Sequence, residues 1–165
     1  MTALRKFGYA AVIALVSATA TASAERTIEP LRFFEGTTES FSTVNVIMRK
    51  PYRSRTVGRG RIDQNGSLIL VQRVEDEGKA PFERRWLIRQ VGPNRFVGTM
   101  SEAAGPVAVT QADGRYHFHL KTKGGLSVDQ FVTPLPDGKS AKTQSTIKKL
   151  GIRVATSQGL IRKVD

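Results

Sequence analysis

The stretch Val107-Ala108-Val109-Thr110-Gln111-Ala112-Asp113-Gly114-Arg115-Tyr116-His117-Phe118-His119-Leu120 decides the fold. Apolar and polar side chains alternate on both sides of Asp113-Gly114, a dipeptide suited to a two-residue hairpin turn. Reversal there sets Ala112 opposite Arg115, Val109 opposite Phe118 and Val107 opposite Leu120. Those apolar pairs share one face. Thr110 with His117 and Ala108 with His119 share the other. A wrong register would have mixed the two sets, because a slip of one residue turns every side chain over.

The same pattern recurs on either side of this hairpin. Strands are predicted over 40–49, 52–63, 67–75, 82–91, 95–102, 106–112, 115–123, 126–133, 140–149, 151–156 and 160–164. Between them lie Asn65-Gly66, Gly92-Pro93-Asn94, Gly124-Gly125, Pro136-Asp137-Gly138 and Gln158-Gly159, all turn-forming. A helical period is missing, apart from room for one turn within 27–36 and an ambiguous stretch at 140–150. At Asn65-Gly66 a three-residue loop, Gln64-Asn65-Gly66, is the better choice. It sets Ile62, Gly60, Gly58 and Thr56 against Leu68, Leu70, Gln72 and Val74. It also sets Arg55 against Glu75 and Arg53 against Glu77, sorting charge from core. A three-residue Gly92-Pro93-Asn94 loop gathers Trp86, Ile88, Phe96, Gly98 and Met100 on one face. Gly58 and Gly60 fall on inward positions of a strand, as in a sheet that curls tightly. The expectation is an all-β single antiparallel meander of about nine to eleven strands closing into a barrel.

The chain has 165 residues, 26 Lys plus Arg against 14 Asp plus Glu, a net charge of +12 and no Cys. That length is one domain's worth. The missing Cys excludes a disulfide scaffold, a thiolate metal site and a cysteine nucleophile. Residues 1–24 carry Arg5 and Lys6, a short apolar run from Tyr9 to Val16 and then Ala22-Ser23-Ala24. These are the parts of a cleaved signal peptide, and the apolar run is shorter than the ~20 residues of a bilayer span. The expected organisation is a signal peptide over 1–24 and one β-barrel domain over 25–165, with no membrane segment after cleavage. The expected location is outside the bacterial cytoplasm, in the periplasm or secreted.

Two sets of residues are candidates for function. The outward parity of the strands carries Arg53, Arg55, Arg59, Arg61, Arg85, Arg89 and Lys121, a cationic surface fit for anionic lipid or envelope polysaccharide. Export and the lack of interleaved aromatics argue against nucleic acid as the partner. The inward parity carries Arg84, Trp86, Phe96, Met100, Tyr116 and Phe118, which would line a barrel interior or mouth holding a small apolar or amphipathic ligand. Arg84 could anchor an anionic headgroup there, or pack on Trp86. His117 and His119 present both imidazoles on one side of a strand. Nothing marks a third ligand, and Arg115 and Lys121 would repel a cation, so no metal site is assigned. Neither histidine has an evident acidic neighbour. Elbow, P-loop and dinucleotide motifs are absent, and no catalytic residue or cofactor is assigned.

Phe33-Phe34-Glu35-Gly36, Arg84-Arg85-Trp86 and Lys148-Lys149-Leu150-Gly151-Ile152 together resemble a family of small bacterial exported proteins, often lipoproteins, known as a domain of unknown function. The likeness runs over about residues 31–164. It implies a calycin-type, lipocalin-like barrel and an envelope location, and it supplies no activity. The chain departs from the family in having no Cys at the cleavage site, so the resemblance carries no lipid anchor. It also lacks the early G-x-W of true lipocalins. The function expected is a non-enzymatic envelope protein binding a small apolar or amphipathic ligand at the barrel mouth. The alternatives are a basic module for anionic lipid or polysaccharide and, second, an unrecognised enzyme.

Overall fold

A computed structural model describes residues 30–164. The signal peptide expected over residues 1–24 lies outside the described residues. The elements are α1 (Pro30–Phe33), β1 (Gly36–Val46), β2 (Tyr52–Ile62), β3 (Leu68–Asp76), β4 (Phe82–Gly92), β5 (Arg95–Met100), β6 (Val107–Ala112), β7 (Arg115–Lys121), β8 (Leu126–Pro134), β9 (Ser140–Lys149) and β10 (Ile152–Lys163). Each strand pairs antiparallel with the next, and β10 returns to pair with β1, closing the barrel. Closure removes the exposed edges that a ten-stranded open sheet would have to protect.

The deciding hairpin forms in the expected register. Ala112 faces Arg115 and Val109 faces Phe118. Asp113 and Gly114 both take positive φ, 52° and 69°, as a two-residue turn of matching twist requires. Ile62 faces Leu68, Gly60 faces Leu70 and Arg55 faces Glu75, the pairing of a three-residue loop. At 92–94 the loop differs from expectation. Gly92 pairs with Arg95, and the register shifts between Gln90 and Gly92. The expected face survives this bulge, because Ile88 still faces Gly98 and Trp86 faces Met100.

The expected turn at Gln158-Gly159 is corrected: 152–163 is one continuous strand. A Cβ on Gly159 would lie 2.5 Å from the Phe41 carbonyl oxygen, so this glycine lets β10 close against β1. The barrel seam, not a chain reversal, is what the glycine serves. β1 also starts at Gly36, earlier than the residue 40 expected.

One end of the barrel is plugged. Phe33 and Phe34, on and just after α1, are buried against Leu68, Ile88, Val109 and Ile161. Burying each such ring contributes about 1.5–3 kcal/mol. Phe34 meets Phe118 edge-on at 6.5 Å, and Phe118 meets Trp86 edge-on at 6.2 Å, so the aromatic packing runs from plug to wall. Lys163 Nζ donates to the Glu35 carbonyl at 2.5 Å and fastens the plug to the last strand. The Phe34 carbonyl sits 1.8 Å from where a Cβ on Gly60 would be. The space left by the inward glycines is therefore occupied. Thr38 covers Gly58 and the β4 backbone covers Gly98 in the same way. These three glycines therefore add no open space to the barrel interior.

Candidate functional site: the interior cavity

Above the plug the packing changes character. Inward positions of β1, β2, β9 and β10 carry Ser40, Ser42, Ser54, Thr56, Thr143, Ser145 and Ser157. Short hydroxyl side chains cannot meet across a barrel of this girth, and a cavity of about 290 Å³ remains. It lies at the lower edge of the ~300–1,000 Å³ usual for small-molecule sites. Its floor is Phe34, Leu68, Ile88 and Ile161. At its mouth stand Val44, Tyr52, Phe82 and Ile147, on the strand ends far from the plug.

The cavity has two unlike walls. The hydroxyl wall belongs to the first two and last two strands, which are neighbours through the seam. The facing wall is apolar, with Leu70, Val74, Trp86, Phe118, Val128 and Val132. Trp86, the single tryptophan of the chain, donates its indole N–H to Gln72 Oε1 at 2.7 Å. That bond fixes the ring against the wall and satisfies a half-buried polar pair.

The charged groups lining the cavity are Asp76 and Arg84, both toward the mouth. Arg84 Nε donates to Glu102 Oε1 at 2.8 Å. Burial pushes the Glu102 carboxyl up, but hydrogen bonds from Ser101 and Arg84 together outweigh it and hold the group below its usual range. The ion pair holds Arg84 at the cavity edge. Its guanidinium lies 5.4 Å from the Phe82 ring centre, so the ring it packs on is Phe82, where packing on Trp86 was one of the two roles read for it.

Of the six inward residues singled out from the sequence, Arg84, Trp86 and Phe118 line this cavity. Phe96, Met100 and Tyr116 are buried in the core cluster but lie outside the cavity's lining. The hydroxyl wall was missed. Its signal was present as Ser or Thr recurring every second residue, at 40 and 42, 54 and 56, and 143 and 145.

Six of the seven outward cations share one stretch of wall, and Lys121 stands apart from them. Arg53, Arg55, Arg59 and Arg61 on β2 and Arg85 and Arg89 on β4 flank β3. Lys121 on β7 is separated from them by β5 and β6. Acidic partners take part of the charge. Arg55 meets Glu39 at 2.6 Å and Glu75 at 3.3 Å, and Arg85 meets Glu83 at 2.6 Å. Exposed pairs of this kind contribute little stability, but they lower the field the wall offers an anion. Two surface depressions, of about 500 and 690 Å³, lie on the outer wall around Leu87–Val97 and Phe41–Arg55. They are larger in volume than the interior cavity, and outward side chains such as Leu87, Arg89, Phe41 and Arg55 line much of them.

His117 and His119 do have an acidic neighbour, which corrects the sequence reading. Asp129 on β8 receives a hydrogen bond from His117 Nε2 and another from His119 Nδ1, both 2.8 Å to Oδ1. The ligand atoms of the three residues lie within 4.8 Å of one another, a donor set of the kind zinc or copper uses. Lys148 stands 3.9 Å from the other carboxylate oxygen, and His117 is stacked flat on Phe131 at 4.5 Å. The carboxylate is thus satisfied within the protein. The His119 hydrogen bond above all, opposed by partial burial and aided by His117, holds Asp129 below the usual carboxylate range.

No family model and no curated protein matches the sequence. Solved structures do match the fold. The barrel superposes on the S-type phycobiliprotein lyase CPES from Guillardia theta with a TM-score of 0.65 and 11% identity, over 82% of this chain and 90% of that one. It also superposes on a protein of unknown function of the DUF3598 family from Nostoc punctiforme with a TM-score of 0.58 and 12% identity, over 81% of this chain and 49% of that one. At these identities the likeness is one of fold, and the expected lipocalin-like meander barrel is the fold observed.

Proposed function

We propose that the protein binds one small amphipathic ligand in the barrel interior, apolar part against Trp86 and Phe118 and polar part among the hydroxyls and Arg84. The observation that carries this reading is the two-walled cavity above a plugged floor. An apolar pocket with a few convergent polar groups is the usual form of a ligand site. The likeness to a phycobiliprotein lyase barrel supports a small-ligand role at the level of fold.

The proposed role is binding without catalysis. Among the lining residues the hydroxyls have no histidine beside them, since His117 and His119 point outward, and the charged groups sit at the mouth. A nucleophile–base pair is what an acyl- or group-transfer site would need. The proposed setting is the bacterial envelope, reached by cleavage after Ala24, which N-terminal sequencing of the protein expressed in bacteria would check. The ligand test is native mass spectrometry of the protein as purified, with Trp86 emission followed during titration with dansyl-undecanoate. A co-purifying amphiphile, or saturable energy transfer from Trp86, supports the reading. Probe binding that leaves Trp86 emission untouched counts against it.

A further inference from the structure

Two turns project beyond the cavity mouth, and both carry apolar residues into water. In the β1–β2 turn Ile47 is 55% exposed and Met48 99%; in the β9–β10 turn Leu150 is 92% exposed and Ile152 69%. The turns are neighbours, because β1 and β10 are paired and the Ile47 N–H donates to the Val154 carbonyl at 3.0 Å. Single exposed aliphatic residues are ordinary. Four of them on two adjacent tips, at the end where the interior is open, are not.

The backbone under these side chains makes the choice of residue more telling. Met48 has φ 60° and Leu150 φ 50°, the left-handed region that glycine or asparagine occupies more readily. Leu150-Gly151 stands where a two-residue turn ordinarily takes Asn-Gly. Both tips thus keep a large apolar side chain at a position whose backbone favours a small one, and neither chain packs on anything.

Charge around the tips has one sign. Arg49, Lys50, Lys148, Lys149 and Arg153 surround the four apolar residues, and neither 46–52 nor 147–154 contains Asp or Glu. Arg49, Lys50, Lys149 and Arg153 have no acidic partner among the described residues and Lys148 reaches Asp129 at 3.9 Å, whereas across the mouth Lys79 is held by Asp76 at 3.0 Å and Arg84 by Glu102 at 2.8 Å. Apolar tips within a cationic collar match an anionic bilayer, whose interface takes the aliphatic chains while its headgroups meet the cations. We propose that the barrel docks mouth-first on anionic membranes through Ile47, Met48, Leu150 and Ile152 and the five surrounding cations. The occupant is the lipid surface itself. Docking there would bring the mouth of the cavity to the source of an amphipathic ligand, which deepens the binding role proposed above without depending on it.

The test is co-sedimentation of the intact protein with vesicles of phosphatidylcholine alone and with 3:7 phosphatidylglycerol to phosphatidylcholine, at about 50 and 300 mM salt. Binding to the anionic vesicles only, weakened by salt, is expected. Met48→Asn with Leu150→Asn removes the apolar tips while suiting the turns, so the fold is kept or stabilised and vesicle binding falls at least tenfold. Lys149→Glu with Arg153→Glu should weaken it by roughly 25-fold or more, at about fivefold for each cation lost. Arg59→Glu with Arg61→Glu, on the outer wall, should change it less than threefold. Failure of the wild type to bind anionic vesicles at low salt, or indifference to the Asn pair, overturns the proposal and leaves the tips to a protein partner. Ser145→Leu, which narrows the cavity and removes a hydroxyl from its wall, separates the two readings: docking persists in it even if ligand binding is lost.

Discussion

Arg84 Nε lies 2.8 Å from Glu102 Oε1 at the edge of the interior cavity, with the guanidinium over the Phe82 ring. Any anionic headgroup entering the mouth has to compete with Glu102 for this cation. Glu102→Gln keeps the shape and removes the competitor. Affinity for dansyl-undecanoate should then rise about tenfold, the scale of one charge-assisted hydrogen bond. A probe with an uncharged headgroup should show less than a twofold change. Equal gains for both would mean that Arg84 does not contact the headgroup.

The cavity exists because β9 and β10 offer hydroxyls where β3 and β4 offer large apolar chains. Ser145→Leu places an aliphatic chain opposite that apolar wall. Probe binding should be abolished while the thermal midpoint stays the same or rises, since apolar contact replaces open space. Retained binding with normal stability would place the ligand elsewhere.

Gly60 is fixed by the Phe34 carbonyl oxygen, 1.8 Å from a Cβ at that position. The obstacle is backbone, so the plug itself must move. Gly60→Ala should cost about 2–3 kcal/mol in urea unfolding. Gly66→Ala meets no atom within 4 Å but keeps a φ of 75°, and should cost about 1 kcal/mol. Equal costs would mean that the plug is not seated against β2.

Asp129 is held below its ordinary value of 3.8 chiefly by the His119 hydrogen bond. A carboxyl lowered in the folded state contributes stability that is complete above the unfolded value and lost as pH falls through the folded one. The wild type should therefore lose more urea stability between pH 5 and about pH 2 than Asp129→Asn does, and should be the more stable of the two at pH 7. Parallel pH profiles would show that the histidines do not bias this carboxylate.

The hairpins were legible because two strict constraints coincide in them: alternation of period two, and turns that admit few residue types. At 107–120 and 52–75 both agree, and the observed registers are those read from the residues. Gly159 was misread because a glycine in a strand pattern signals either a reversal or a close approach, and only the partner strand decides which. The Asp129 contact was hidden for a similar reason. A two-residue turn at Gly124-Gly125 would set His119 against Gln130, but Thr122 bonds to the Leu126 carbonyl, and the one-residue shift sets His119 against Asp129. The inward set was read correctly as a face. Parity alone says which residues face inward and not which of them border open space, so Phe96, Met100 and Tyr116 could not be separated from Trp86 and Phe118.

Trp86 is the only tryptophan, and its ring forms part of the cavity wall with the indole N–H fixed on Gln72. Titration with dansyl-undecanoate, followed by quenching of Trp86 and sensitised dansyl emission, therefore reads the interior directly. The account predicts saturable one-to-one transfer that is lost in Ser145→Leu and kept in Arg59→Glu with Arg61→Glu. Transfer that survives Ser145→Leu, or that disappears with the outer-wall pair, would contradict an interior site.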